Sequence, residues 1–406
     1  MLVTYLLDWL GLLVRWLHLV AGIAWIGASF YFVWLDNHLQ SASARERTDP
    51  GVAGELWAVH GGGFYRSQKY RIAPAVLLPT LHWFYWEAYT TWLSGFALLC
   101  LLYFWRAEAY LIDPAVAALA KPVAIGIALG FLIASWLIYD SLCRSPLGRH
   151  ARALTGVLGL MLAAEAWGLC QLFSGRGAFM VFGSAIGSIM VANVLFVIIP
   201  GQRELVHAKQ QGRDPDPAPG LRARQRSVHN TYFTLPVLFV MISNHYAMTY
   251  GARYNWLVLI AMSIAGACIR AWFVARHRAA EHGRYVPALS GLLGILALAA
   301  VVVALAPAPG SGAAGAPAMA PPGEVSRVQQ IVQVRCVPCH AVKPTQAGFS
   351  AAPNGLVLET VDQLLAHLPQ VQQQLSARSM PLGNLTSMTE EERSAMLMWI
   401  GHGARH

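Results

Sequence analysis

Five residues near the end of the chain, Cys336-Val337-Pro338-Cys339-His340, have types and spacing that can do chemistry. Two thiols separated by two residues and followed directly by an imidazole form the signature of covalent c-type haem attachment. The thiols add across the two porphyrin vinyl groups, and the adjacent histidine offers a ring nitrogen to the iron. A zinc site would ask for four ligands, and no second cysteine pair follows in the tail. A dithiol redox site would ask for a βαβ context, whereas the tail has a helical pattern. The iron wants a second axial ligand. Met380, forty residues after His340 and followed by Pro381, lies in a loop before the last helical pattern. Met388, Met396 and Met398 compete with it. Histidine–methionine ligation raises the haem potential, as suits an electron carrier.

These groups must be positioned by a chain that is 56% hydrophobic and 12% charged over 406 residues. A soluble domain has about 45–50% apolar and about 25% charged residues. A purely soluble enzyme and a disordered chain are both excluded. Eight apolar runs long enough to cross a bilayer are predicted at 11–36, 82–105, 122–142, 154–173, 178–200, 230–250, 255–275 and 287–306. The mixed stretch 51–80 predicts a short interfacial helix. Gly126-x-x-x-Gly130 and Gly183-x-x-x-Gly187 read as helix-packing signals. Residues 307–323 are a Pro/Gly/Ala-rich linker. Residues 324–406 form a small polar domain with Val325, Val328 and Val332 on one helical face. Its last helix is predicted to start at Thr389, an N-cap followed by three glutamates. The fold class is therefore all-α: an integral membrane bundle of eight transmembrane helices (1–306), a linker, and a tail resembling a class I cytochrome c domain (324–406). Pro353 resembles the proline that supports the haem histidine in that family.

The net charge of +9 fits either nucleic acid or the inner loops of a membrane protein, and the positions of the charges decide. The loops after the first, third, fifth and seventh runs hold seventeen Lys and Arg, including Arg45, Arg47, Arg149, Arg222 and Arg284. The loops after the second, fourth and sixth hold four: Arg106, Lys121, Arg176 and Arg253. The positive-inside rule puts the first set in the cytoplasm and both termini outside. Haem is attached to c-type domains on that outer side, so two independent arguments give one topology. Nucleic acid drops out.

Ionisable residues inside spans are functional candidates. Near the outer face lie Arg15, His18, Asn244, His245 and Glu165; near the inner face lie His82, Glu87, His229, Asn230 and Arg270. His60, in HGGGFY, could join the inner layer. His18 with His245 is a candidate axial pair for a b-type haem, and His82 with His229 a second, so the spans would hold one or two haem b. The alternative is that each histidine hydrogen-bonds a neighbouring helix. Glu87 and Arg270 form either a buried ion pair or a site in which Arg270 holds an anion and Glu87 moves protons. Trp83, Phe84, Tyr85 and Trp86 form an interfacial belt or a stacking surface for a planar ring.

The strings RWLHLVAGIAWIGASFYFVWLDNHL, HGGGFYRSQKY, HWFYWEAYTTWLSGF and SVHNTYFTLPVLFVMISNHY, followed by one C-x-x-C-H domain, resemble the bacterial membrane-bound urate hydroxylases (urate oxidases). The resemblance spans essentially the whole chain. It implies oxidation of urate to 5-hydroxyisourate, with electrons leaving through the fused cytochrome to a soluble cytochrome c or terminal oxidase, and without hydrogen peroxide. It implies an inner-membrane protein whose cytochrome domain is periplasmic. The catalytic candidates are Glu87, Arg270, His82, His229 and His60. Cys336, Cys339, His340 and Met380 are the haem c set. Two other classes stay open: a quinol–cytochrome c electron-transfer protein, and a membrane-anchored electron carrier.

Overall fold

The computed structural model describes residues 2–40, 51–74, 76–281, 288–306, 324–346, 349, 351–401 and 404. The linker at 307–323 and the inner-loop arginines Arg45, Arg47 and Arg284 lie outside the described residues.

Each of the eight apolar runs forms a helix. They are α1 (Leu2–His38), α2 (Trp86–Leu98), α4 (Lys121–Arg144), α5 (Ala151–Leu172), α6 (Gly175–Asn193), α8 (Pro217–Ser243), α10 (Asn255–Glu281) and α11 (Leu289–Ala304), with the short α3 (Ala107–Tyr110) and α9 (Ala247–Tyr250) between them. Five helical stretches among the described residues are long and apolar enough to cross a membrane, and Leu289–Ala304 is apolar but shorter. α8 starts thirteen residues before the predicted run because Asp216 caps it, accepting from the Ala218 N–H at 2.9 Å, with Pro217 at its first position. α6 does not stop at the predicted end. It passes through a π-helical turn (Val194–Ile198) into α7 (Ile199–Gln210). A second π-helical turn, Leu99–Phe104, extends α2. Such turns recur at functional sites.

α6 is the central helix, packed on α4, α5 and α8, while α1 lies at the edge against α2 and α10. Gly183 permits this closeness, since a Cβ there would stand 2.5 Å from Val240 of α8. Gly126, Gly130 and Gly187 have nothing within 4 Å of such a Cβ. Of the two predicted packing signals, only Gly183 therefore brings helices together.

The interfacial helix expected within 51–80 is a β-hairpin, β1 (Val52–His60) and β2 (Gly63–Tyr70). Gly61 (φ +56°) and Gly62 (φ +80°) explain the difference. Two successive positive φ values make the tight turn that matches strand twist, and no helix can pass through them. Glu55 is buried and receives both Nε (2.9 Å) and Nη2 (2.6 Å) of Arg66. Lys69 pairs with Asp36 at 2.6 Å, tying the hairpin to the end of α1.

In the tail, α12 (Glu324–Arg335), α13 (Val361–Ala366), α14 (Leu368–Ser376) and α15 (Glu390–Gly401) surround their own core of Val328, Val332, Leu364, Met396 and Trp399. α15 starts as predicted. The Glu392 N–H donates to Thr389 Oγ1 (3.2 Å) and the Thr389 N–H to Glu392 Oε2 (2.8 Å), a reciprocal cap.

Candidate functional site

The C-x-x-C-H segment continues α12 by one turn. The N–H of Cys336 donates to Val332 O, and the N–H of His340 to Cys336 O at 2.9 Å. Both thiols are free. Burial, with the neighbouring Cys339 adding to it, pushes Cys336 up to about 12; burial also raises Cys339. His340 Nδ1 lies 2.9 Å from the carbonyl oxygen of Leu356. A carbonyl only accepts, so Nδ1 carries the proton and Nε2 keeps its lone pair free for a metal. The supporting carbonyl belongs to Leu356 and not to Pro353. Pro353 opens the short turn Pro353–Gly355 that delivers Leu356, so its support is indirect.

The methionines sort themselves by environment. Met388 and Met396 are core, and Met398 is 56% exposed on α15. Met380 is half-buried in the loop after α14, its carbonyl accepting from Arg393 Nη1 at 2.7 Å. Among the described residues, no three His, Cys, Asp or Glu side chains converge as a metal cluster would require. Two neutral thiols, a free imidazole nitrogen and one uncommitted thioether form a donor set that fits covalent haem.

In the helical domain, a polar network lies between α4, α6 and α8. His229 Nδ1 is 2.7 Å from Tyr139 Oη. Asn193 Nδ2 donates to Tyr139 Oη (3.0 Å) and to Asn230 Oδ1 (2.9 Å), and Asn230 Nδ2 to Met190 O (2.9 Å). Arg226 lies over the Tyr139 ring and pairs with Asp140 at 2.7 Å. Asn193 Oδ1 and Arg226 Nη1 are buried without a partner among the described residues.

Arg270 is only 8% exposed, and its Nε and Nη2 have no hydrogen-bond partner among the described residues. The guanidinium sits over the ring of Phe30, 3.8 Å from its centroid. Leaving a buried guanidinium unpaired is costly, and an anion would satisfy it. The alternative ion pair with Glu87 does not form, because the guanidinium is taken up by Phe30 instead. Glu87 is half-buried in the first turn of α2.

The other inner-layer candidates are dispersed. His82 is exposed and packs edge-on against Phe84 at 4.6 Å, which touches Phe32 of α1. His229 meets Tyr139 and Cys143 of α4, so the expected His82/His229 pair is not brought together. His60 is exposed at the hairpin tip, opposite Gly63.

His18 lies between α1 and α2. Its Nδ1 is 2.9 Å from Thr91 O and 3.2 Å from Ser94 Oγ. Gly95 makes room for the ring, since a Cβ there would stand 2.8 Å from His18 Cε1. His245 is exposed just past α8. Its neighbour Asn244 accepts from Tyr103 Oη at 3.2 Å. His18 is held against α2 while His245 is exposed, and no contact among the described residues brings the expected pair together. Glu165 is buried and accepts from Ser135 Oγ at 2.8 Å.

A family model described as "Urate oxidase N-terminal" matches residues 4–305, the whole of the helical domain. The chain belongs to this family. The matched residues hold both polar layers, and end before the linker and tail. No curated protein and no solved structure was found to match the chain. The matched stretch includes Arg270, His229 and His18. Tyr139, Asn193 and Asp140 escaped the sequence reading, and Arg226 entered it only as one of the loop charges. The available signal was Asn193, a lone amide in the apolar run VANVLFV.

Proposed function

We propose that this chain is a membrane-bound, cytochrome c-linked urate hydroxylase. The eight helices span the bacterial inner membrane, and the tail is a periplasmic c-type cytochrome in which Cys336 and Cys339 would attach the haem and His340 and Met380 would hold its iron. Urate and water give 5-hydroxyisourate, two protons and two electrons. No hydrogen peroxide forms, because the electrons leave toward a soluble cytochrome c or a terminal oxidase. The haem, when bound, supplies a one-electron acceptor that is used twice per turnover.

The observation that carries this reading is the union of a urate oxidase family match over 4–305 with a C-terminal C-x-x-C-H whose histidine has one nitrogen fixed and the other free. The residues divide the work. Arg270 binds the urate anion with its unpartnered nitrogens, and Phe30 beneath it shields the pair from lipid. His229, oriented by Tyr139, is the base that takes a proton from water. His18, with Nδ1 held by Thr91, is the ligand for a b-type haem in the bilayer.

An anaerobic visible spectrum of the oxidised protein, taken before and after adding urate, tests this. The expected result is the reduced c-type band on adding urate. A protein that dithionite reduces and urate does not is no urate hydroxylase; reduction by a quinol would then identify a quinol–cytochrome c protein.

A further inference from the structure

Two glycines mark where the tail meets the outer face of the helical domain. Gly251 ends α9, and a Cβ on it would run into the carbonyl of Ala377 in the tail. Gly383 is in the tail, and a Cβ on it would stand 2.5 Å from Glu108 O and 2.8 Å from Ala109 O of α3. Ala377 and Gly383 flank Met380. Arg393, which fixes the Met380 carbonyl, also feels the charge of Asp113, three residues beyond α3. The loop that carries the thioether is therefore the part of the tail held against the membrane domain.

The surface beneath it is braced. Arg176, in the first turn of α6, lies over both Tyr110 (5.3 Å) and Tyr250 (5.8 Å), the neighbours in sequence of Ala109 and Gly251. Arg176 Nη2 donates to Asn244 O at 3.1 Å. The carbonyl of Tyr110 accepts from Ser174 Oγ (2.8 Å) and that of Tyr250 from Asn255 Nδ2 (2.9 Å). Both contact segments are thus pinned to the same helix start, α6, and to α10. Backbone meets backbone at each point, a closeness that only glycine allows.

We propose that α3, α9 and the start of α6 form a docking platform for the chain's own C-terminal domain, and that the docked state is the one in which the tail receives electrons. The second half of the statement rests on the function proposed above; the first half does not. Each urate oxidised releases two electrons, so the tail docks oxidised, takes one, and returns for the second after an external one-electron acceptor, a soluble cytochrome or terminal oxidase, has reoxidised it.

The test uses the full chain in lipid nanodiscs with two variants. Gly251→Val adds a side chain where Ala377 sits, at a position with ordinary backbone angles. Asp113→Asn removes the charge while keeping the turn in which Asp113 Oδ1 accepts from the Ala115 N–H. Hydrogen exchange of 107–113 and 377–384 reads docking without urate or haem reduction. The expected result is protection in the wild type that falls at least tenfold in Gly251→Val and less in Asp113→Asn. Equal exchange in wild type and Gly251→Val overturns the platform, whether or not urate is the substrate. In rapid mixing, urate-driven reduction of the tail should slow at least tenfold in Gly251→Val, with the dithionite-reduced spectrum unchanged. Lost protection with an unchanged urate-driven rate overturns the electron-receiving role. If urate reduces neither protein, the proposed function fails, and hydrogen exchange still decides the docking.

Discussion

His340 Nδ1 and the carbonyl oxygen of Leu356 are 2.9 Å apart, sixteen residues distant in sequence. That contact fixes the tautomer of the one imidazole adjacent to the two cysteines and aims its free nitrogen. In the proposed haem site His340 would offer that nitrogen, and Met380, half-buried outside the core, would be the second ligand. Met380→Ala is expected to keep covalently bound haem and to lower its potential by at least about 60 mV, a tenfold shift in a one-electron equilibrium. Redox titration followed at the c-type band checks this; an unchanged midpoint removes Met380 as ligand.

Arg270 should separate activity from stability. Its buried nitrogens lack partners, so Arg270→Met removes a buried charge without breaking an ion pair and should leave thermal stability equal or higher. Urate-driven reduction should fall about 100-fold, since a lost charged hydrogen bond to substrate costs about 1.5–3 kcal/mol. A large loss of stability with normal urate affinity would show that the guanidinium is structural.

Tyr139→Phe takes the shared oxygen from both His229 and Asn193. Leaving Asn193 short of a partner should cost about 1–3 kcal/mol of stability. If His229 acts as base, the maximal rate should fall more than the urate affinity changes, because its ring is no longer oriented. Steady-state kinetics on the variant reads the two separately. A changed affinity with an unchanged maximal rate would assign the network to binding.

His18 and His245 should behave differently, because His18 is held between α1 and α2 and His245 is exposed. His18→Ala is expected to abolish b-type absorbance in the reduced spectrum, and His245→Ala to retain it. A wild-type spectrum without any b-type band would end the assignment of a haem to the spans.

Glu392 makes the tail acid-sensitive. Desolvation works to raise its pKa, but the hydrogen bonds from Arg335 and the Thr389 N–H outweigh it and hold it below the ordinary 4.5. A carboxylate depressed in the folded state contributes stability that is present above the unfolded value and is lost as pH falls through the folded one. Thermal unfolding of the full chain, read at the tail haem, should show about 1 kcal/mol of stability lost as pH drops below 4.5. Glu392→Gln should remove that slope.

How much was legible depended on the range of the interaction. The C-x-x-C-H turn, the cap at Thr389 and the eight helical runs are local patterns, set by spacing along the chain and by the length of apolar segments, and these needed no tertiary structure. The hairpin at 52–70 was also written locally, in Gly61-Gly62, but a mixed composition masked it. Pairing inside the bundle was not legible. Depth along a helix can be counted, but the direction in which a side chain leaves the helix, and the neighbour it meets, depend on how α1, α6, α8 and α10 rotate against one another. That rotation sent Arg270 to Phe30 and not to Glu87, His229 to Tyr139 and not to His82, and His18 to Thr91 and not to His245. The sequence by itself determined which groups are present and on which helical runs they lie. Only tertiary packing decided which of them meet, because a contact between helices is made by side chains from distant parts of the chain, whose relative orientation no local pattern records.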